Sequence, residues 1–113
     1  MDMKAIADFA NFDSLDIRVG RIVKVEDAET RKPTYRMTID FGDEIGIKPS
    51  CGAYRHYSKE ELVGELVIGV VNFAPKQMGA EISEALMLGV PGTAGEVIHF
   101  TPESEVPVGV MVF

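Results

Sequence analysis

The sequence predicts a mainly β domain, a small barrel or sandwich that carries one short helix. Three observations lead there. Residues 35–41 alternate cleanly, with Tyr35, Met37, Ile39 and Phe41 on one side and Arg36, Thr38 and Asp40 on the other, the pattern of a half-buried strand. Residues 15–25 form an unusually long run rich in β-branched side chains, with Gly20 near its middle. Ser58-Lys59-Glu60-Glu61, set between strand-like stretches, fits a capping box and so marks a helix start. At 113 residues the chain has room for one core, and therefore for one domain over 1–113.

Taken in order, Ile6, Phe9 and Ala10 fall at helical spacing and predict an N-terminal helix over about 4–11. In 15–25 the alternation sets Ile17, Val19, Val23 and Val25 on one face and Arg18, Ile22 and Lys24 on the other. Arg21 falls on the apolar face, against the pattern. A strand that bends at Gly20 and serves two sheets, as the first strand of a small closed barrel does, accommodates this. The second strand follows the polar stretch 26–33. Gly42-Asp43 then supplies a tight reversal into a hairpin partner at Ile45-Gly46-Ile47. The helix opened by Ser58 offers Leu62 and Val63 as its apolar side and ends at Gly64. Residues 66–71 form an apolar strand that stops at Asn72-Phe73-Ala74-Pro75, because Pro75 has no amide donor for a sheet ladder. Short strands are expected at 85–88, 96–100 and 108–113. Three strands, a short helix and two further strands are the order of an OB-fold, the five-stranded Greek-key barrel. Here it would carry the short helix between strands 3 and 4, plus the N-terminal helix and C-terminal strands.

Apolar residues make up 46% of the chain, which suits a folded globule. The longest apolar run, 66–71, is far short of the roughly 20 residues a membrane span needs, so no membrane insertion is expected. Met1-Asp2-Met3-Lys4 leads into no hydrophobic signal region, and the single Cys51 cannot form an internal disulfide. A reduced, cytoplasmic setting is the expectation. The net charge of −7 weighs against nucleic acid, whose phosphates need Lys and Arg. Yet all eleven basic residues lie between Lys4 and Lys76, so one face can be positive within an acidic protein, even with Glu26, Asp27 and Glu29 close to the basic cluster.

Catalysis has little to stand on. Cys51 and His56 are near in sequence but have no third orienting group. Two separated histidines do not make a metal site, and Gly89-Val90-Pro91-Gly92 reads as a turn rather than a phosphate cradle. No enzyme activity, cofactor or metal is expected. Binding has more support. Arg31, Lys32 and Arg36 cluster in and beside the loop between the first two strands, and Lys76 lies in the loop after the fourth. In an OB-fold these two loops flank the ligand face. Tyr35, Tyr54, Tyr57 and Phe73 offer rings on which a base gains roughly 1–3 kcal/mol by stacking, although for Tyr35 and Phe73 core packing is the favoured account.

Several segments, in order and at their spacings, carry a resemblance. These are FDSLDIRVG at 12–20, RKPTYRM at 31–37, IDFGDEIGIK at 39–48, VVNFAPKQM at 70–78 and SEAL at 83–86. Together they resemble the tRNA-binding domain shared by methionyl-tRNA synthetase appendages, endothelial monocyte-activating polypeptide and the free-standing CsaA, and are most similar to the CsaA-like branch. The resemblance spans nearly the whole chain. It implies a homodimer that uses the N-terminal helix and a C-terminal extension over about 96–113. It also implies tRNA or structured RNA as partner, held by Arg31, Lys32, Arg36, Asn72, Lys76 and Ser83. Gln77 and Ile82 stand where the family usually has further cations, so a modest affinity is expected. CsaA-like proteins are also associated with protein export. The alternative is therefore a chaperone that holds unfolded or precursor polypeptides in an apolar groove beside Phe73 and Met78.

Overall fold

The computed structural model describes residues 2–113. Its centre is a five-stranded antiparallel sheet in the order β3-β2-β1-β4-β7, curled until it is nearly closed. The strands are β1 (Ile17–Asp27), β2 (Tyr35–Asp40), β3 (Ile47–Gly52), β4 (Leu66–Val70) and β7 (Leu86–Met87). Among the described residues, three short helices, α1 (Phe9–Asp13), α2 (Gly42–Ile45) and α3 (Lys59–Leu62), and two hairpins, β5 (Lys76–Met78) with β6 (Glu81–Ser83) and β8 (Gly89–Pro91) with β9 (Val97–His99), complete the fold.

The long first strand does serve two neighbours. Residues 17–21 pair with β4 and residues 21–27 with β2, on opposite edges. The change of partner is possible because Gly20 has no side chain. A Cβ there would lie 2.5 Å from Ile39 Cγ2 and 2.8 Å from the Phe41 ring. One expectation for this strand fails. Val23 is 46% exposed, whereas Ile22, expected on the polar face, is fully buried. The cause is a bulge: Ile22 pairs with Ile39 and Lys24 with Thr38, so Val23 is an extra residue that resets the alternation.

The core joins Ile22, Val25, Tyr35, Met37, Ile39 and Phe41 with Leu62, Val67 and Met87. The alternation read in β2 is thus the inward face of the barrel. Where β3 meets β6 and β7 there is no ladder. Glu84 N donates to Pro49 O at 2.8 Å, and the hydroxyls of Ser83 and Ser50 accept from Cys51 N at 3.1 Å and Met87 N at 3.4 Å.

The capping box forms as expected, with Ser58 Oγ accepting from Glu61 N at 3.1 Å while Glu61 Oε1 accepts from Ser58 N at 2.8 Å. The reversal at Gly42-Asp43 is one helical turn, α2, and the partner strand begins only at Ile47. The N-terminal helix is shorter and later than the expected 4–11, covering Phe9–Asp13. Ile6 is fully exposed, so within this chain no packing holds residues 4–8 helical. The segment 108–113 is not an independent strand. It lies along β1 on the edge β2 has vacated, through a bridge between Arg18 and Met111 and bonds such as Val112 N to Ile17 O at 2.8 Å. No helix among the described residues is long and apolar enough to cross a membrane.

Candidate nucleic-acid interface

The loop after β1 is shaped by its threonines. The hydroxyls of Thr30 and Thr34 lie 2.7 Å apart, and each is within 2.7 Å of the Lys32 carbonyl oxygen. Tying that carbonyl inward turns Arg31 and Lys32 out, and both are exposed. The β5–β6 hairpin comes to meet this loop. At its tip Gly79 has φ +63° and approaches so closely that a Cβ would stand 2.9 Å from the Glu29 carbonyl oxygen. Only glycine permits both features. Two loops 45 residues apart in sequence (from Arg31 to Lys76) are thereby brought side by side.

Two adjoining cavities open along this junction. One, of about 380 Å³, is lined by Cys51, Phe73, Lys76, Met78 and Ser83, with Glu84 and Leu86 beyond. The other, of about 450 Å³, is lined by Arg31, Lys32, Thr34, Gly52 and Met78. Met78 is the wall they share. Six of the eight residues read as binding candidates therefore line one or the other of these cavities.

The charge arrangement sharpens this. Of the eleven Lys and Arg residues, Arg18, Arg21, Lys24, Arg36, Lys48, Arg55 and Lys59 are each in an ion pair. Among the described residues, the cations outside any such pair are Lys4, Arg31, Lys32 and Lys76, and the last three line the two cavities. Arg36 is different from its expected neighbours. Its guanidinium is shared between Glu26, at 3.0 Å, and the buried Glu81 of β6. The hydrogen bond to Glu26, then the one to Glu81, raise its pKa; the same bond to Arg36 holds the Glu26 carboxyl below its ordinary value. Arg36 thus ties the hairpin to the barrel.

Asn72 and Ser83 are also spent on structure. Asn72 Oδ1 accepts from Asp16 N at 2.8 Å and its Nδ2 donates to Ser14 O at 2.9 Å, stapling the end of β4 to the start of β1. Ser83 Oγ accepts from Cys51 N and donates to Ala85 O at 3.0 Å, with its backbone paired to Lys76. Both residues position the loop that carries Phe73 and Lys76. Of the rings, Tyr35 and Tyr54 are core; the Tyr35 hydroxyl donates to Tyr57 O and the Tyr54 hydroxyl to Met87 O. Phe73 is 49% exposed at the cavity wall, so core packing does not account for it.

Two residues were missed by sequence reasoning. Cys51 lines the cavity with Phe73, and burial raises its thiol pKa. Glu81 neutralises Arg36, and its only trace in the sequence is the inverted pair Glu81-Ile82, in which the acid is buried and the isoleucine is exposed. Among the described residues no group of three or more His, Cys, Asp or Glu is placed to hold a metal.

This near-closed barrel has known counterparts. The solved structure of the CsaA chaperone protein from Picrophilus torridus is 41% identical and superposes with a TM-score of 0.90, over 96% of this chain and 100% of that one. The MetRS-related protein from Pyrococcus horikoshii is 26% identical, with a TM-score of 0.84, over 97% and 100%. In sequence, the methionine–tRNA ligase of Archaeoglobus fulgidus is 37% identical over 99% of this chain, and that of Methanosarcina mazei 32% over 92%. The chain spans only 17% and 14% of the length of those two ligases. The sequence profile of the tRNA-binding domain matches residues 17–111, from the first residue of β1 to the residue that bridges back to it. With fold and sequence in agreement, the chain belongs to the tRNA-binding domain family.

Proposed function

We propose that this protein binds tRNA or similarly structured RNA, without catalysis, through Arg31, Lys32 and Lys76, and does so in the cytoplasm as a homodimer. The observation that carries the reading is the convergence of these three cations, none in an ion pair, on adjoining cavities of a protein of net charge −7. Phosphate contacts by a few unpaired cations give an affinity that falls steeply with salt. Arg36, Asn72 and Ser83 act by holding the hairpin and loop in place. For the dimer, the support is exposed apolar surface: Met3, Ile6 and Phe9 before β1, and Val110, Met111 and Phe113 alongside it. Two subunits would double the cations and act as one site through effective concentration. The test is retention of tRNA at about 50 mM salt and its loss by about 200 mM, with a dimer mass by light scattering. No tRNA binding at the lowest salt removes the reading.

A second reading has its own observation. The relatives of known structure at 41% and 37% identity are named as CsaA chaperones, and the cavity with half-exposed Phe73 and flexible Met78 offers apolar surface for unfolded or precursor polypeptides. Suppression of aggregation of an unfolded protein, abolished by Met78→Ala, would favour it. No suppression at an excess of dimer would dismiss it.

A further inference from the structure

We propose that the cavity walled by Phe73, Lys76 and Leu86 receives an unpaired nucleobase, so that the groove holds a strand by one inserted base as well as by phosphates. This rests on the RNA reading above and names the kind of nucleotide that reading requires. The cavity of about 380 Å³ is at the small end of the roughly 300–1,000 Å³ of small-ligand sites. That is ample for one ring system.

Its wall is a ring without other employment. Phe73 is 49% exposed and has no aromatic partner among the described residues, whereas Tyr35, Tyr54 and Tyr57 are tied by hydroxyl hydrogen bonds. Cations line it and its neighbour. Lys76 lines the cavity itself, and Arg31 and Lys32 line the next one, across Met78. That is the layout for gripping the phosphates on either side of a nucleotide whose base turns inward. A duplex would satisfy the cations and leave the ring and the apolar lining unused.

The cavity also holds a means of choosing among bases. The Ser83 hydroxyl is already committed as donor and acceptor, and Lys76 is assigned to phosphate, so the side-chain acceptor offered to a base is the Glu84 carboxylate, whose Oε1 lies 3.7 Å from Lys48 Nζ. A carboxylate accepts and cannot donate; the exocyclic amino groups of adenine and cytosine give it N–H bonds, whereas the ring N–H of uracil lies between two carbonyl oxygens that repel it, so A and C are favoured over U.

The experiment titrates labelled octamers of A, C and U, and an RNA duplex of equal length, at about 50 mM salt. The protein is wild type, Phe73→Ala or Glu84→Gln, and AMP is added as a free-nucleotide competitor. Oligo(A) and oligo(C) are expected to bind about tenfold more tightly than the duplex. Phe73→Ala should abolish that margin, and Glu84→Gln should remove the preference over oligo(U). Because Cys51 lines the same cavity, oligo(A) should also slow alkylation of its thiol several-fold while the duplex does not. Equal affinity for duplex and single strands, unchanged by Phe73→Ala, would overturn the base pocket and leave RNA binding intact. Loss of all RNA binding would remove both. AMP competing as well as the octamer would overturn insertion from a strand. Protection of Cys51 by an unfolded polypeptide and by no RNA would give the cavity to a peptide instead.

Discussion

Replacing Glu81 should make the protein less stable and a better RNA binder at once. The Glu81 side chain is 9% exposed and meets Arg36 Nη1, which links the β5–β6 hairpin to β2. Glu81→Gln keeps the shape and an acceptor for Arg36 but removes the ion pair, leaving Glu26 as the one carboxylate on the guanidinium, a loss of about 1 kcal/mol. For a domain of this size that lowers Tm by about 4–8 °C. Glu81→Ala removes the acceptor outright and should cost about 2–3 kcal/mol. Both variants also remove one negative charge from the hairpin whose other strand carries Lys76. At a distance of about 10 Å in water a unit charge contributes about 0.4 kcal/mol, so tRNA affinity at low salt should rise about twofold. Thermal melting followed by circular dichroism reads the first effect, and fluorescence anisotropy with labelled tRNA reads the second. Melting curves identical to wild type for both variants would refute the tether. A fall in affinity with the fold intact would refute the view that Glu81 opposes the cations.

Gly20→Ala should destabilise by about 1–3 kcal/mol in urea unfolding, because its methyl would enter the space of Ile39 and Phe41; an unchanged midpoint would count against the packing described for β1. Asn72→Ala should cost about 1–2 kcal/mol for its two lost hydrogen bonds, with faster amide exchange at Asp16 and little direct change in the RNA salt slope. Burial pushes the Tyr54 phenol up to about 12 from its ordinary 10, so the folded state keeps its proton after the unfolded chain has lost it. Stability from this group is complete below pH about 10 and falls as pH rises towards 12, by about 3 kcal/mol in all, and Tyr54→Phe should flatten that decline. Glu26 and Glu61 have lowered pKa values, held by Arg36 and by the Ser58 cap respectively. Their contribution is present above their ordinary value of 4.5 and is lost as pH falls below it, which an acid titration of the melting temperature would register.

What could be read from the sequence followed from local chemistry. The inward face of β2 is fixed by a period of two, and the start of α3 by the reciprocal bonds of Ser58 and Glu61. The bulge at Val23 could not be read, because an extra residue is defined only against the partner strand, here by Ile39 and Thr38. In the groove, Arg31, Lys32 and Lys76 were legible because loop position and charge suffice to expose them. Arg36 was misplaced among them because its partners come from Glu26, ten residues earlier, and Glu81, 45 residues later. Asn72 and Ser83 lie beside the loop that carries Phe73 and Lys76, with their own side chains engaged in hydrogen bonds. That both ends of the Asn72 amide are consumed by Ser14 and Asp16 depends on the meeting of β1 and β4 and leaves no mark in either segment alone.

If the three cations outside ion pairs carry the binding, the salt dependence of tRNA affinity must change when they are removed. The comparison sets wild type against Arg31→Gln/Lys32→Gln/Lys76→Gln, with Lys24→Gln/Arg55→Gln, drawn from the paired cations, as control. The slope of log K against log salt should become shallower by about 2–3 in the triple variant, at about 0.7–0.9 per cation, and stay within error of wild type in the control. An unchanged slope in the triple variant, or an equal loss in the control, would contradict the account.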